Sequence, residues 1–140
     1  MISDEWSALL ALQRATHATL HVLAVQVTDL GLTPAEINTL ANLADNQART
    51  VSELTHLIGS PPTTATSVLD RLEHRGHVTR SRHPIDRRAL VVELTPSGRR
   101  AAASIRRAIT RLEQQLLGVL DTASVDGLRA GLDALAGATS

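Results

Sequence analysis

Residues 77–98, HVTRSRHPIDRRALVVELTPSG, decide the fold of this 140-residue chain. The segment holds two runs rich in β-branched residues, about 77–82 and 89–95, on either side of a polar turn loaded with arginine. Such runs around a turn predict an antiparallel β-hairpin. A predicted helix ends just before the segment and another begins inside its last residues, so the hairpin is expected to project from a helical body as a wing.

Charge is segregated along the chain, although the formal net charge is zero. Residues 71–111 carry eleven arginines and three acidic residues, a formal charge of +8, while the rest of the chain carries −8. All 14 basic residues are arginine, whose planar guanidinium suits phosphate and the O6/N7 edge of guanine. The clustering therefore predicts a basic face that binds a polyanion.

The composition excludes several kinds of site. The chain has no cysteine, which removes disulfides, thiolate nucleophiles and zinc fingers. Trp6 is its one aromatic residue, expected in the core or a subunit contact, so stacking of single-strand bases on aromatic platforms is excluded. With no phosphate-binding glycine loop and no nucleophile beside a base, neither an enzyme nor a cofactor is predicted. The acidic start, MISDEWSALL, indicates neither signal peptide nor membrane span, so a cytoplasmic protein is expected.

Helix start and stop signals divide the remaining sequence. Two capping boxes, Thr33 to Glu36 and Thr50 to Glu53, open short helices, and Gly59 closes the second. Successive prolines after Ser60 force a turn before the next helix begins. The predicted helices are 4–29, 34–44, 51–58, 62–75, 96–120 and a last helix carrying Val125, Leu128, Leu132 and Leu135.

The fold class expected is mainly α, a winged helix-turn-helix with a small β-hairpin wing and a helical dimerisation region. Helix 62–75 buries an apolar stripe and leaves a polar N-terminal half outward, as the second helix of a helix-turn-helix does. We expect one globular unit in which 33–96 bind DNA, while 1–32 and 97–140 dimerise. The N- and C-terminal helices carry apolar stripes beyond what a winged helix can bury, and a second copy would cover them.

Two stretches resemble the MarR family of bacterial winged-helix transcription regulators, and the resemblance runs through about residues 5–136. TTATSVLDRLE at 63–73, followed by a glycine, is similar to the family's recognition helix. Asp86-Arg87-Arg88, then VVELT and Gly98, is similar to its wing signature of Asp-x-Arg, an apolar strand, Leu-Thr and Gly. The resemblance implies a homodimer whose recognition helices enter successive major grooves of double-stranded DNA while a wing arginine reaches the minor groove.

The candidate DNA-binding residues lie on the recognition helix and the wing. They are Thr63, Thr64, Thr66, Ser67, Arg71, Arg80, Arg82, Arg87 and Arg88. Many family members carry arginine where this chain has Ser67, so base readout there is expected to be weaker or to use another edge. Arg80 and Arg82 are assigned to phosphate, whereas Arg71 and Arg75 stay open between phosphate and an ion pair with Asp70 or Glu73. Asp86 is expected to support the wing, by a charge-assisted bond to arginine or through the backbone.

A second candidate site lies on the first helix, where Arg14, His17 and His21 share one face. They would anchor a small anionic or aromatic ligand, as the resemblance implies, or would simply form dimer contacts or stay exposed. A metal site is not expected, because no further ligands complete a set. The three histidines near the wing, His74, His77 and His83, are expected at the surface.

The function expected is a sequence-specific dimeric regulator of transcription, a repressor that a ligand releases from a pseudo-palindromic operator. Two alternatives remain: a non-specific architectural DNA-binding protein, and a winged helix that binds other proteins. The arginine-loaded turn argues against the second, which would not need it. Preference among DNA sequences distinguishes a regulator from an architectural protein.

Overall fold

The computed structural model describes residues 7–137, and its elements follow the predicted order with one addition. The helices and strands are α1 Ala8–Gln26, α2 Pro34–Ala41, β1 Arg49–Thr50, α3 Val51–Ile58, α4 Pro62–His74, β2 Val78–Arg82, β3 Leu90–Leu94, α5 Pro96–Leu117 and α6 Thr122–Gly137. A 3₁₀ turn, Thr28–Leu30, follows α1. The mainly helical winged helix-turn-helix predicted from the sequence is confirmed. The chain forms two compact units, Met1–Ala108 and Ile109–Ser140.

The predicted capping residues fix the starts of α2 and α3. Thr33 Oγ1 accepts the Glu36 N–H at 3.2 Å, and Glu36 Oε1 accepts the Thr33 N–H at 3.0 Å, which completes the capping box. At α3 the Thr50 hydroxyl accepts the Glu53 N–H at 3.1 Å. Gly59 ends α3 with a left-handed φ of 66°, a conformation that glycine adopts without steric cost.

The sheet has three antiparallel strands in the order β1-β3-β2, not the two of the predicted hairpin. Strands β2 and β3 pair from Val78 with Leu94 to Arg82 with Leu90. The added strand pairs Arg49 with Val92 on the other edge of β3. Two residues are too few to show the alternation that marks a strand, so the sequence carries no signal for β1.

Aliphatic side chains fill the core of the first unit. The fully buried large side chains include Ile37, Leu40, Leu43, Leu54, Val68, Leu69, Leu72, Val78, Val92 and Ile105. Helix α2 ends at Ala41 instead of the predicted 44, because the Leu43 N–H bonds to the Leu40 carbonyl three residues back and tightens the chain into turns. Leu43 is nevertheless buried as predicted.

Several predicted apolar stripes stay uncovered in the single chain. Within the second unit, Leu128, Leu132 and Leu135 of α6 are between 37% and 44% exposed. In the first unit, Leu9 of α1 is 55% exposed. Inside residues 7–137, every helix is too short or too polar to cross a lipid bilayer.

The start of α5 packs directly on the turn between α4 and β2. The Thr95 hydroxyl donates to the Gly76 carbonyl at 2.5 Å and accepts the Gly98 N–H at 3.0 Å. The Thr95 N–H donates to the His77 carbonyl at 3.1 Å. Gly98 therefore lies against the backbone of His77, in a space that a side chain would fill.

Candidate nucleic-acid interface

The helix-turn-helix consists of α3, a turn through Gly59 and Pro61, and α4. The Gly59 N–H bonds back to the Thr55 and His56 carbonyls, and the chain then restarts at once, since the Ala65 N–H bonds to the Pro61 carbonyl at 3.0 Å. Pro61 occupies the N-cap position and brings no hydrogen-bonding side chain to it. The first-turn N–H groups of α4 thus lack an N-cap acceptor and suit an anion.

The two faces of α4 separate as the sequence predicts. Ala65, Val68, Leu69 and Leu72 are at most 1% exposed and face the core. The outward face carries the exposed side chains of Thr63, Thr64, Thr66, Ser67 and Arg71. The Thr66 hydroxyl donates to the Pro62 carbonyl at 2.9 Å, which leaves its oxygen lone pairs outward as acceptors. A row of hydroxyls ending in a guanidinium can form hydrogen bonds with base edges and phosphates.

The wing tip, residues 83–89, is held in shape by its own side chains. His83 Nδ1 accepts the N–H groups of Ile85 and Asp86 at 3.1 and 3.0 Å. Asp86 Oδ1 accepts the Arg88 N–H at 3.2 Å, and the His83 N–H donates to the Ala89 carbonyl at 2.9 Å. Asp86 thus supports the wing through a backbone N–H. The side chains of Arg82, Arg87 and Arg88 are exposed around this tip.

His83 has a structural role that its expected surface position did not suggest. Nδ1 of the ring accepts both N–H groups, so the imidazole is turned toward the backbone of the tip and holds it in place. We expect His83→Ala to accelerate amide hydrogen exchange of Ile85 and Asp86 roughly two- to tenfold, because each lost bond is worth about 1 kcal/mol. His83→Asn is the matched control, since an Asn oxygen accepts the same N–H groups in turns. Equal exchange in the wild type and His83→Ala would contradict this role.

Arg80 binds two carboxylates of α4, which differs from its predicted assignment to phosphate. Its guanidinium lies 2.5 Å from Asp70 Oδ1 and 3.2 Å from Glu73 Oε1, and its side chain is only 19% exposed. The hydrogen bond from Arg80 lowers the pKa of the Glu73 carboxyl. The structure favours the ion-pair interpretation for Arg80, which joins β2 to α4. The pairing links residues ten positions apart, a partner choice that sequence spacing on a helix does not indicate.

Arg75 also engages the protein itself, at the C-terminal end of α4. Its guanidinium donates to the Gly31 carbonyl at 2.5 Å and to the Leu30 carbonyl at 3.1 Å. It also lies 4.0 Å from Oε2 of Glu36, a side chain that is 3% exposed and whose Oε2 has no hydrogen-bond partner. The nearby positive charge offsets part of the cost of burying this carboxylate.

His77 is half-buried beside this cluster, and not at the surface as expected. Burial lowers the pKa of His77 below its ordinary value of 6.5, and the Arg75 guanidinium lowers it further, while Glu36 opposes both. His77 Nδ1 lies 3.0 Å from the Ser97 hydroxyl at the start of α5. The imidazole therefore joins the turn after α4 to α5 in its neutral form.

The lowered pKa of His77 predicts a stability that depends on pH. As the pH falls through about 6.5, the unfolded chain binds a proton on His77 before the folded chain does, so the free energy of unfolding falls until the pH reaches the lowered pKa of the folded chain. We expect His77→Gln to remove part of this fall, measured by urea unfolding above and below pH ~6.5. His74→Gln, which removes an exposed imidazole from α4, is the control. An unchanged pH profile in His77→Gln would contradict the prediction.

The second predicted site stands apart from this surface. Arg14, His17 and His21 are all exposed on α1 in the single chain. Residues 7–137 hold no group of three or more His, Asp or Glu side chains placed to bind a metal ion. Trp6 and the predicted start of the first helix lie outside the described residues. The anion-anchoring role of this trio stays a prediction.

Two residues of the wing, His83 and Ile85, were not among the site residues predicted from the sequence. His83 determines the shape of the tip, and Ile85 is 88% exposed at it. The sequence does show an isoleucine within a polar turn, and that pattern could have marked Ile85 as a candidate site residue. The hydrogen bonds of His83 were not predictable, because they depend on the orientation of the ring.

Comparison with known proteins matches the chain to regulators of transcription. Residues 32–90 match the family model described as MarR family. A Thauera aromatica protein, whose description links it to transcriptional regulation of the hcr operon, is 30% identical over 96 residues, 69% of this chain and 58% of that protein. The Bacillus subtilis (strain 168) transcriptional repressor MdtR is 34% identical over 68 residues, 49% of this chain and 44% of MdtR. The chain spans about half the length of the curated relatives it matches.

Solved structures share the fold over nearly the whole chain. The transcriptional repressor CouR bound to a 23-mer DNA duplex is 31% identical, with a TM-score of 0.75, over 93% of this chain and 92% of CouR. NadR in complex with 4-hydroxyphenylacetate is 22% identical, with a TM-score of 0.85, over 97% and 96% of the two chains. With the recognition-helix and wing motifs in place, these similarities show that the chain belongs to the MarR family.

Proposed function

We propose that the protein is a homodimeric, sequence-specific DNA-binding regulator of transcription that represses from a pseudo-palindromic operator. The observation that carries the proposal is one continuous arrangement: the hydroxyl face of α4 beside a wing whose exposed arginines surround a hydrogen-bonded tip. Hydroxyls at the N-terminal half of a recognition helix read base edges in the major groove. The DNA-bound structure of CouR, 31% identical, supports the same use of this fold.

Two parts of the chain are assigned separate roles. Residues 33–96 bind DNA, and the helices in 1–32 and 97–140 form the dimer. The exposed leucines of α6 support this division, because a stripe of large apolar side chains at helical spacing is stabilised by burial against a second copy. A two-fold dimer presents two recognition helices and two wings to half-sites one helical turn of DNA apart.

Charge favours DNA over a protein partner. Arg71, Arg82, Arg87 and Arg88 are exposed, whereas Arg80 and Arg75 are bonded within the protein. The exposed arginines supply a positive surface, and Arg80 binds both acidic residues of α4, Asp70 and Glu73. A winged helix that binds other proteins would not need this arrangement. A duplex whose phosphates recur along both strands fits it.

Selection of bound fragments from a genomic or random duplex library tests the proposal. We expect the full chain to enrich one pseudo-palindrome, and gel-shift titration at fixed salt to give a preference over a scrambled duplex on the order of a thousandfold or more. Sedimentation of the protein and its complex measures the dimer. Salt-sensitive binding without sequence preference would instead indicate an architectural protein, and absence of binding would favour the protein-interaction module.

We propose a ligand site on α1, at Arg14, His17 and His21. A guanidinium with two imidazoles on one helix face suits a small carboxylic acid, so we propose that such an acid releases the repressor from its operator. 4-Hydroxyphenylacetate, the ligand in the NadR complex, is a first probe. We expect Arg14→Ala to abolish release while ligand-free operator binding is unchanged. Release that survives in Arg14→Ala would place the anchor elsewhere.

A further inference from the structure

Ile85 is the most exposed large apolar side chain among the described residues, with 88% of its surface open to solvent. It lies at the outermost turn of the wing, between Pro84 and Asp86. Single exposed aliphatic residues are common on protein surfaces and by themselves indicate nothing. The surroundings of Ile85 set it apart from such cases.

The backbone that carries Ile85 is fixed. The N–H groups of Ile85 and Asp86 both bond to His83 Nδ1. Pro84, which lies between His83 and Ile85, has a fixed φ angle and restricts the loop further. On the far side, the Ala89 N–H donates to the Asp86 carbonyl at 3.0 Å. The loop therefore presents Ile85 in one position before any partner arrives, which lowers the entropy that binding would cost.

Exposed guanidinium groups flank this apolar tip. Arg87 and Arg88 follow it in the same loop, and Arg82 precedes it on β2. A partner surface that matches the set must offer closely spaced negative charges on both sides of an apolar surface. The minor groove of DNA has this form, because two rows of phosphates border walls of deoxyribose carbon and hydrogen.

We infer that Ile85 is an apolar wedge that packs against the deoxyribose walls of the minor groove where the wing meets the operator. The inference rests on the proposed function and adds to it a contact without charge or hydrogen bonds. The arginines of the wing contribute affinity that falls with salt, since they release counterions from the phosphates. Ile85 contributes affinity by burying apolar surface, which releases none.

Salt dependence separates these two contributions. We expect Ile85→Ser to weaken binding of the full chain to its selected operator roughly 5- to 50-fold, given the value of burying one aliphatic side chain. The slope of log affinity against log salt stays at the wild-type value in Ile85→Ser. Ile85→Leu, the matched control, keeps the apolar surface and binds within about threefold of the wild type. Thermal unfolding checks that both variants keep the wild-type fold.

Hydroxyl-radical cleavage gives a second measurement, because it reports the accessibility of deoxyribose hydrogens in the minor groove. Wild-type protein and Ile85→Leu should protect the sugars at both outer ends of the operator, and Ile85→Ser should lose that protection while keeping protection at the half-sites. Wild-type affinity in Ile85→Ser, or a changed salt slope, would overturn the wedge and leave the proposed regulator intact. A wild-type chain that prefers no duplex would overturn both.

Discussion

Replacement of Gly98 by alanine is expected to lower the free energy of unfolding by about 3 kcal/mol or more. An added Cβ would overlap the His77 carbonyl oxygen and lie 2.8 Å from its carbon and 3.2 Å from Leu94 Cδ2. The obstacle is backbone, so no side chain can rotate away to make room. The start of α5 would have to move away from the turn between α4 and β2.

That movement would break a connected set of hydrogen bonds. The Thr95 N–H bond to His77 O and the Thr95 hydroxyl bond to Gly76 O both join the start of α5 to this turn. Each bond is worth about 1 kcal/mol net, and their loss adds to the steric cost. Few single substitutions combine the two effects.

Gly127→Ala is the matched control for Gly98→Ala. Gly127 lies inside α6, and a Cβ built there meets nothing within 4 Å. Alanine should stabilise that helix by roughly 0.5–1 kcal/mol. Urea unfolding at one fixed protein concentration measures both variants, since the apparent stability of the proposed dimer depends on concentration. A loss of less than about 1 kcal/mol in Gly98→Ala would contradict this prediction, because it would show that the backbone around His77 moves aside easily.

Arg88→Ala is expected to weaken operator binding by roughly 1–3 kcal/mol, about 5- to 150-fold, while the dimer stays intact. The Arg88 backbone N–H is held by Asp86, so its side chain starts from a fixed point and reaches outward. A guanidinium inserted into the minor groove replaces condensed counterions, and its removal should lower the salt slope by about one.

Two variants of equal charge change make the result specific. Arg87→Ala changes the neighbouring guanidinium and tests which of the pair makes the contact. Arg129→Ala removes a cation from α6, outside the basic segment, and should leave affinity unchanged. Gel-shift titration at several salt concentrations measures all three. Equal affinities for Arg88→Ala and the wild type would rule out the assigned role.

The starts of α2, α3 and α4 and the end of α3 were predictable because their causes are local. Thr33 and Thr50 cap the helices that follow them, and Pro61 with Gly59 fixes the turn between α3 and α4. Each cause acts within four residues of its effect, so the order of residues is sufficient. The outward face of α4 follows from helical periodicity in the same way.

Long-range partners were not predictable from the order of residues. Arg80 and Arg75 are both arginines near acidic residues, yet Arg80 pairs with Asp70 and Glu73, whereas Arg75 turns to the backbone of residues 30 and 31. The choice depends on where β2 crosses α4, which is set by packing. β1 was missed for a related reason, because the edge of β3 supplies its identity as a strand.

Arg75 attaches the C-terminal end of the recognition helix to a part of the chain that is distant in sequence. Its two hydrogen bonds span 44 and 45 positions and join the last turn of α4 to the corner that ends the segment after α1. The corner is Gly31, whose φ of 62° lies in the left-handed region that glycine adopts without steric cost. Displacement of residues 30 and 31 would therefore move the end of α4 with them or break both bonds. Arg75 thus ties the recognition helix to the segment that directly follows α1, so a movement in that segment can be passed to the recognition helix.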